Sequence, residues 1–214
     1  TVILGYGSVS RGAVYALHAL GFKDLRVYTR RPPYLVADRS PEAQYGQYYP
    51  GADGRLWARS AEGREVPLVD VLAEADVICN GILQNPDQPV MFMRADEVDR
   101  LRAGAVVVDI SCDEGMGFPF AVPTTFDDPM IRVGNNIAYY AVDHTPSHLW
   151  DAASGEISRA LLAYLETVSG GRPAWDSNAT VSRAIDILDG RVLNPLVLSF
   201  QRRRPEYPHE TTNQ

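Results

Sequence analysis

The sequence has few cysteines and no long hydrophobic runs. Only Cys79 and Cys112 occur among its 214 residues. Each ends an apolar, strand-like segment, so we expect buried thiols in a reducing compartment and no disulfide framework. No apolar run reaches the roughly 18 residues that a membrane span needs, and no basic and then apolar leader precedes the first strand. These absences favour a cytoplasmic protein without a membrane partner.

Basic residues are also in short supply. The chain holds 20 Lys and Arg against 27 Asp and Glu, which gives a formal net charge of −7. Such a balance lacks the electrostatic footprint of a protein that binds nucleic acid or anionic lipid. With 45% hydrophobic residues, the chain is long enough for one large domain or two small ones. We therefore expect a globular protein that acts on small molecules.

The first thirty residues predict a βαβ unit. Val2, Ile3 and Leu4 form a short buried strand, apolar residues then recur at helical spacing from Val9 to Leu20, and Gly21 ends the helix. A second strand is predicted at residues 25–28. The crossover between these two parallel strands should be right-handed.

Alternating helices and strands continue after a segment rich in proline. In residues 32–65 we predict only a strand near 55–58. Beyond it, the pattern predicts helices at 68–75 and 95–101 and strands at 76–80, 105–110 and 137–142, the last of which could close the sheet. This order predicts a doubly wound parallel sheet, the Rossmann class of α/β fold.

From about residue 146, the alternation of strands and helices gives way to mostly helical segments. Helical segments are predicted at about 148–153, 157–167 and 176–188, followed by a polar tail from Arg202 that we expect to be disordered or solvated. We therefore predict a dinucleotide-binding domain at 1–145 and a helical second segment at 146–214.

The first candidate site is the turn between the first strand and helix. Gly5 suits the tight turn, and Gly7 suits the point where the backbone approaches a pyrophosphate at the helix start. The third glycine of the usual pattern would fall at position 10, where this sequence has a serine, Ser10. An ordinary tight turn remains the alternative interpretation.

The end of the second strand indicates the type of cofactor. A site for NAD would place Asp or Glu there, but the sequence reads Thr29-Arg30-Arg31. A guanidinium can pair with a 2′-phosphate, whereas a carboxylate would repel it, so these residues favour NADP(H). A solvated end of the loop before Pro32 remains the alternative.

The second candidate site follows the strands predicted at 76–80 and 105–110. Asn80-Gly81 ends the first of these strands, where a small residue would admit a ribose or nicotinamide, although a simple turn is the alternative. Asp113 and Glu114 come just after the other strand, where ligands bind in open α/β sheets. Asp109 lies on the strand itself, so a buried structural role and a functional role are both open for it.

A histidine beside a carboxylate ends the strand at 137–142. Asp143 and His144 could supply an acid, a base or a substrate anchor near neutral pH. His148 lies four residues further, but Pro146 disfavours one helix that carries both histidines, so we expect no metal.

The runs VVVDISCDEGMGF, PTTFDDP and YYAVDHTPSHLW, with the turn GYGSVSRGA, resemble the superfamily of alanine dehydrogenases, saccharopine dehydrogenases and transhydrogenases. Within it, the N5-(carboxyethyl)ornithine synthases are the most similar. The resemblance implies an oxidoreductase acting on CH–NH donors, which uses NADPH to condense pyruvate with the side-chain amine of ornithine or lysine. Alanine dehydrogenase and saccharopine dehydrogenase activities are alternatives, and a non-catalytic NADP-binding module is another.

The resemblance also assigns roles to residues. Asp113 matches the aspartate beside the nicotinamide and substrate, and Asp143 and His144 match the loop that folds over the nicotinamide ring. We thus expect Asp113 and His144 to be catalytic. The residues expected to bind the cofactor are Gly5, Gly7, Ser8, Val9, Thr29, Arg30, Arg31, Asn80, Gly81, Ile82, Val142 and Asp143.

The resemblance further implies a substrate domain made from an N-terminal segment and the C-terminal helices. The N-terminal part has no counterpart here, and the chain begins at Thr1 inside a predicted core strand. We therefore expect either that this sequence is a fragment of a longer protein or that a separate chain completes the site. For the assembly, we expect a homo-oligomer or a complex with that separate chain. The helices near 147–200 should leave an apolar face uncovered.

Overall fold

A mixed sheet surrounds the first strand of the chain. In residues 1–212, the part that the computed structural model describes, nine strands form this sheet. In spatial order they are β5 (Glu65–Pro67), β4 (Leu56–Arg59), β3 (Gln44–Pro50), β2 (Arg26–Thr29), β1 (Val2–Leu4), β6 (Val77–Asn80), β7 (Val106–Asp109), β9 (Ile137–Tyr140) and β8 (Met130–Val133). The six central strands, β3, β2, β1, β6, β7 and β9, run parallel to one another. The outer strands β4, β5 and β8 pair antiparallel with their neighbours.

Helices cover both faces of the sheet, and successive side chains of β1 pack alternately in the apolar cluster on one face and in the cluster on the other. Val2 and Leu4 pack in the cluster that includes α2 (Leu68–Ala73), and Ile3 packs in the cluster that includes Val14 of α1 (Ser8–Ala19). The chain order of the strands reverses between β1 and β6, so the carboxyl ends of these strands flank the crevice where such sheets bind ligands. The predicted doubly wound α/β fold is confirmed.

The structure differs from the predicted elements in the proline-rich segment, at the edges of the sheet and near the C-terminus. The single helix predicted at 176–188 is wrong, because two short helices, Arg172–Ser177 and Ala179–Arg183, and a strand, Ile187–Leu188, occupy that region. The prediction missed β3, β5 and β8, although β4 lies where a strand was expected. In β3, Gly46 and Pro50 interrupt the apolar pattern, yet Tyr45 and Tyr48 are buried. The segment predicted as a helix at 95–101 is a 3₁₀ helix, Ala95–Arg100.

A buried carboxylate fastens the ends of three parallel strands. Asp109, at the end of β7, is 1% exposed. Its carboxylate accepts hydrogen bonds from Asn80 Nδ2 at 2.8 Å, from the Tyr139 hydroxyl at 3.0 Å and from the backbone N–H of Cys112 at 3.2 Å. Burial raises the pKa of Asp109, and these three donors oppose the rise by stabilising the charged form. The buried structural role weighed for Asp109 agrees with these contacts.

The chain divides into two units, Thr1–Asp143, which contains the sheet, and His144–Gln214. The second unit begins with a 3₁₀ helix, Thr145–Leu149, and contains a short hairpin. Its other elements are α3 (Trp150–Leu162), α4 (Leu165–Ser169), α5 (Arg172–Ser177), α6 (Ala179–Arg183), β10 (Ile187–Leu188), β11 (Arg191–Val192) and α7 (Pro195–Phe200). That this unit is part of a substrate domain stays a prediction.

Two features of the second unit bear on the predictions. No residue of α3 is buried, and Trp150, Ile157 and Leu161 are each more than half exposed, as expected for an uncovered apolar face. The tail from Arg202 is mostly exposed through residue 212, which agrees with the solvated alternative, but hydrogen bonds give it an ordered conformation, so the disordered alternative is wrong. Arg204 N–H donates to Glu210 O at 2.9 Å, and the buried His209 accepts from the backbone N–H of Val192 at 3.1 Å.

The Asp109 network makes a prediction about stability. Tyr139→Phe should lower the free energy of unfolding by about 1–3 kcal/mol, because it leaves a buried carboxylate oxygen without its hydroxyl donor. Urea denaturation measures this change. Tyr140→Phe, the same substitution at the next and less buried position, is the control. Equal losses in the two variants would contradict the role given to the hydroxyl.

Candidate functional site

A cavity of about 620 Å³ lies at the carboxyl ends of β1, β2 and β6. Its volume falls in the range typical of small-molecule sites. Most of the predicted cofactor residues line it, namely Gly5, Gly7, Ser8, Val9, Thr29, Arg30, Arg31, Gly81 and Ile82. Tyr6, Arg11, Val36, Ala37, Tyr48 and Leu83 complete the lining. Glycines and arginines that are distant in the sequence therefore meet in one space.

The glycine turn has the geometry that a bound phosphate requires. Gly5 has φ +84°, and its N–H donates to Tyr28 O at 2.9 Å. Gly7 precedes α1, and a Cβ built on it would meet no atom within 4 Å. The first bond of the helix runs from Arg11 N–H to Gly7 O, so the N–H groups of Ser8 and Val9 have no partner within the helix. Those groups can receive an anion.

Ser10, the residue that departs from the glycine pattern, packs where the helix meets the sheet. It is 1% exposed, and its hydroxyl donates to Leu4 O at 3.1 Å. A Cβ on Gly81 would lie 2.5 Å from the Ser10 Oγ. The small residue that permits close packing is thus Gly81, directly after the neighbouring strand β6, and the serine at position 10 does not disturb the turn.

Three guanidinium groups line the cavity. Arg30 and Arg31 follow β2, and the Thr29 hydroxyl donates to Arg31 O at 2.6 Å, which fixes the turn of the chain there. Arg11 lies with its guanidinium carbon 5.4 Å from the centroid of the Tyr6 ring. None of the described residues that line this cavity is acidic.

The sequence-based prediction did not include Arg11. Its Nη2 is 3.9 Å from Asp38 Oδ2, and its Nε is buried without a hydrogen-bond partner among the described residues. One signal could have found it: Arg11 lies one helical turn after Gly7, so it occupies the helix face that begins at the glycine turn.

Some predicted cofactor residues do not line the cavity. The side chain of Asn80 is 1% exposed, donates to Asp109 and accepts from the backbone N–H of Ile82 at 3.2 Å. Val142 is also buried, whereas Asp143 is exposed. Asn80 thus contacts the cavity only through its hydrogen bond to Ile82, and the roles predicted for Val142 and Asp143 stay predictions.

Two acidic residues, Asp113 and Asp143, follow β7 and β9 and interact through their charges. Asp113 is partly buried, and burial first and the charge of Asp143 second raise its pKa. Between β7 and Asp113, Cys112 has φ +44°, and burial followed by the charges of Asp143 and Asp113 raises the pKa of its thiol. His144 comes directly after Asp143, is exposed and has φ +60°. The ends of two adjacent strands therefore carry a pair of interacting carboxylates.

No cluster of three or more His, Cys, Asp or Glu side chains that could hold a metal ion occurs within residues 1–212. Across the same residues, no helix combines the length and the apolar character that crossing a bilayer demands.

The fold defines the class of the first unit as a doubly wound α/β domain with a glycine turn between its first strand and helix. The chain belongs to the family described as alanine dehydrogenase/PNT, C-terminal domain, whose model matches residues 1–195. This membership covers the sheet, the cavity and most of the second unit.

Individual relatives agree with the family. Alanine dehydrogenase of Mycolicibacterium smegmatis is 25% identical over 146 residues, which are 67% of this chain and 38% of the relative, and that of Mycobacterium tuberculosis gives the same values. The chain thus spans well under half the length of these relatives. A solved L-alanine dehydrogenase matches with a TM-score of 0.69 at 21% identity over 92% of this chain and 51% of that one. A transhydrogenase from Sinorhizobium meliloti gives 0.56 at 17% identity over 78% and 43%.

The two acidic residues lead to a titration test. Asp143→Asn should lower the pKa of Asp113 because it removes a nearby negative charge, yet that pKa should stay above its usual value because burial persists. A titration of the side-chain carboxyl groups monitored by NMR measures the change.

Glu114→Gln provides the matched control for that titration. It removes the same charge from the exposed neighbour of Asp113, whose carboxylate does not contribute to the raised pKa. If both variants shifted the pKa of Asp113 equally, the specific interaction with Asp143 would be refuted.

Proposed function

We propose that this protein is an NADPH-dependent oxidoreductase that condenses a 2-oxo acid, pyruvate, with the side-chain amine of ornithine or lysine. The observation that carries the proposal is the placement of two features at the carboxyl ends of one parallel sheet. The glycine turn and three arginines share one cavity, and Asp113 and Asp143 lie beyond β7 and β9 at the same edge. Such an edge is where doubly wound enzymes bind cofactor and substrate.

The residues of the cavity fit a phosphorylated dinucleotide. The open space at Gly7 and the N–H groups of Ser8 and Val9 would hold the pyrophosphate. Arg30 and Arg31 would pair with the 2′-phosphate, since a guanidinium matches a phosphate with two parallel hydrogen bonds. When bound, NADPH supplies the hydride that reduces a carbon–nitrogen double bond.

The acidic residues would serve the chemistry of condensation. An amine and a 2-oxo acid lose water to form an imine, and reduction then adds a hydride to the carbon and a proton to the nitrogen. An ionised Asp113 would stabilise the positive charge of the iminium, and its raised pKa would help it exchange a proton with the amine. His144 would assist this proton transfer or hold the carboxamide of the cofactor.

Alanine dehydrogenase activity is the second candidate. The curated relatives described above carry that name, and the substrate would then be ammonia in place of an amino acid. A saccharopine-type reaction with a larger oxo acid is a further variant of the same chemistry. In each case we propose a cytoplasmic protein that assembles as a homo-oligomer or is completed by a further chain.

The arginines test the choice of cofactor. Replacement of Arg30 and Arg31 by Ala should weaken NADPH binding by about 10- to 100-fold, because charge-assisted hydrogen bonds to the 2′-phosphate disappear, and should leave NADH binding nearly unchanged. Fluorescence titration with each cofactor measures the two affinities. Equal losses for NADPH and NADH would refute the assignment to the phosphate.

Activity measurements test the reaction. We expect the full-length protein to oxidise NADPH when pyruvate is supplied with ornithine or lysine, and expect Asp113→Asn to lower kcat at least tenfold. Ammonia in place of the amino acid distinguishes alanine dehydrogenase activity. Tight binding of NADPH without turnover on any of these pairs would instead indicate a non-catalytic NADP-binding module.

A further inference from the structure

A second cavity, of about 400 Å³, lies away from the proposed cofactor site. It is lined by residues of β2, β3, β4 and β5, the turn after β4, and α2 with the residue that follows it, and shares no lining residue with the cavity at the glycine turn. Val71 of α2 borders this space. Its volume suits a small metabolite.

The floor of the cavity is apolar and ends in one hydroxyl. Ala58, Val66 and Val71 contribute aliphatic surface. The ring of Tyr28 lies against Gly46, where an added Cβ would come within 2.5 Å of the ring. The absence of a side chain at Gly46 therefore leaves room for the Tyr28 ring. The Tyr28 hydroxyl makes no hydrogen bond among the described residues.

Charged residues of both signs line the same cavity. Glu74 is already engaged, since its carboxylate accepts from Arg26 Nη1 at 2.9 Å and lies 3.8 Å from Arg64 Nη1. Glu62 accepts from the Ser60 hydroxyl at 2.8 Å, and this bond lowers the pKa of Glu62, so the carboxylate is charged at neutral pH. Arg26, Arg64, Glu62 and Glu74 line the same cavity as Tyr28, and their charges act on its phenol, whose pKa burial raises.

We propose that this cavity binds the zwitterion of an α-amino acid with an aliphatic side chain. Arg64 and the Tyr28 hydroxyl receive the carboxylate, Glu62 receives the ammonium group, and the side chain lies on the apolar floor. The proposal does not depend on the proposed reaction, because no residue of the cofactor cavity takes part.

The balance of charge favours a zwitterion over a simple anion or cation. Two arginines and two glutamates line the cavity, so it has no net charge to offer a ligand of one sign. An anion would meet Glu62 and Glu74, and a cation would meet Arg26 and Arg64. A neutral ligand with separated charges satisfies both signs at once, and its aliphatic part gains from burial.

Isothermal titration of the full chain with L-leucine tests the proposal. Saturable binding is expected, and L-leucinamide and N-acetyl-L-leucine, which lack the carboxylate and the ammonium group respectively, should bind at least tenfold more weakly. Tyr28→Phe and Glu62→Gln should each weaken binding of L-leucine about tenfold or more. Both changes keep the size of the side chain, and thermal unfolding verifies that the variants fold.

Tyr49→Phe and Glu65→Gln are the matched controls, because they make the same chemical changes on β3 and β5 outside the cavity. They should leave the affinity for L-leucine unchanged. The proposal is overturned if L-leucine does not bind, if L-leucinamide binds equally well, or if Tyr28→Phe and Glu62→Gln bind like the controls. Loss of L-leucine binding in Asp113→Asn would place the ligand at the proposed active site and would also overturn it.

Discussion

The buried carboxylate of Asp109 is the contact on which the candidate site depends. It joins β6 through Asn80, β9 through Tyr139 and the loop after β7 through the N–H of Cys112. A buried charge is costly unless donors surround it, and here every donor comes from a different segment. The Asn80 amide oxygen extends the network to Ile82 N–H and so to the wall of the cavity at the glycine turn. One carboxylate thus holds both the cavity and the loop that carries Asp113.

The central fold could be predicted because its signals are local. The buried strands β1, β6 and β7 are continuous apolar runs, and α1 has a regular apolar spacing that ends at Gly21. β3 could not be predicted in the same way. Its sequence QYGQYYP places glycine and proline among polar residues, and the strand exists because Tyr45 and Tyr48 are buried against neighbours distant in the sequence. Such burial overrides local propensity.

The candidate site was predictable to the extent that its residues end strands. Gly5, Gly7, Arg30 and Arg31 meet in one cavity because parallel strands share a carboxyl edge. Side-chain direction was not predictable from spacing: Asn80 also ends a strand, but its amide faces Asp109. Arg11 was missed although its position one helical turn after Gly7 places it on the helix face that begins at the glycine turn, and the fold shows that this face borders the cavity.

The contact between Ser10 and Gly81 shows which positions of a glycine-rich turn must be small. The space between α1 and the sheet is one shared volume, to which either position can contribute a side chain. The usual glycine pattern, with its third glycine at position 10 in the helix, is therefore only one way to fill that volume. Where the strand end supplies the glycine, the helix can carry a hydroxyl that also satisfies the Leu4 carbonyl. The two positions are therefore expected to vary together across relatives, each restricting the size of the other.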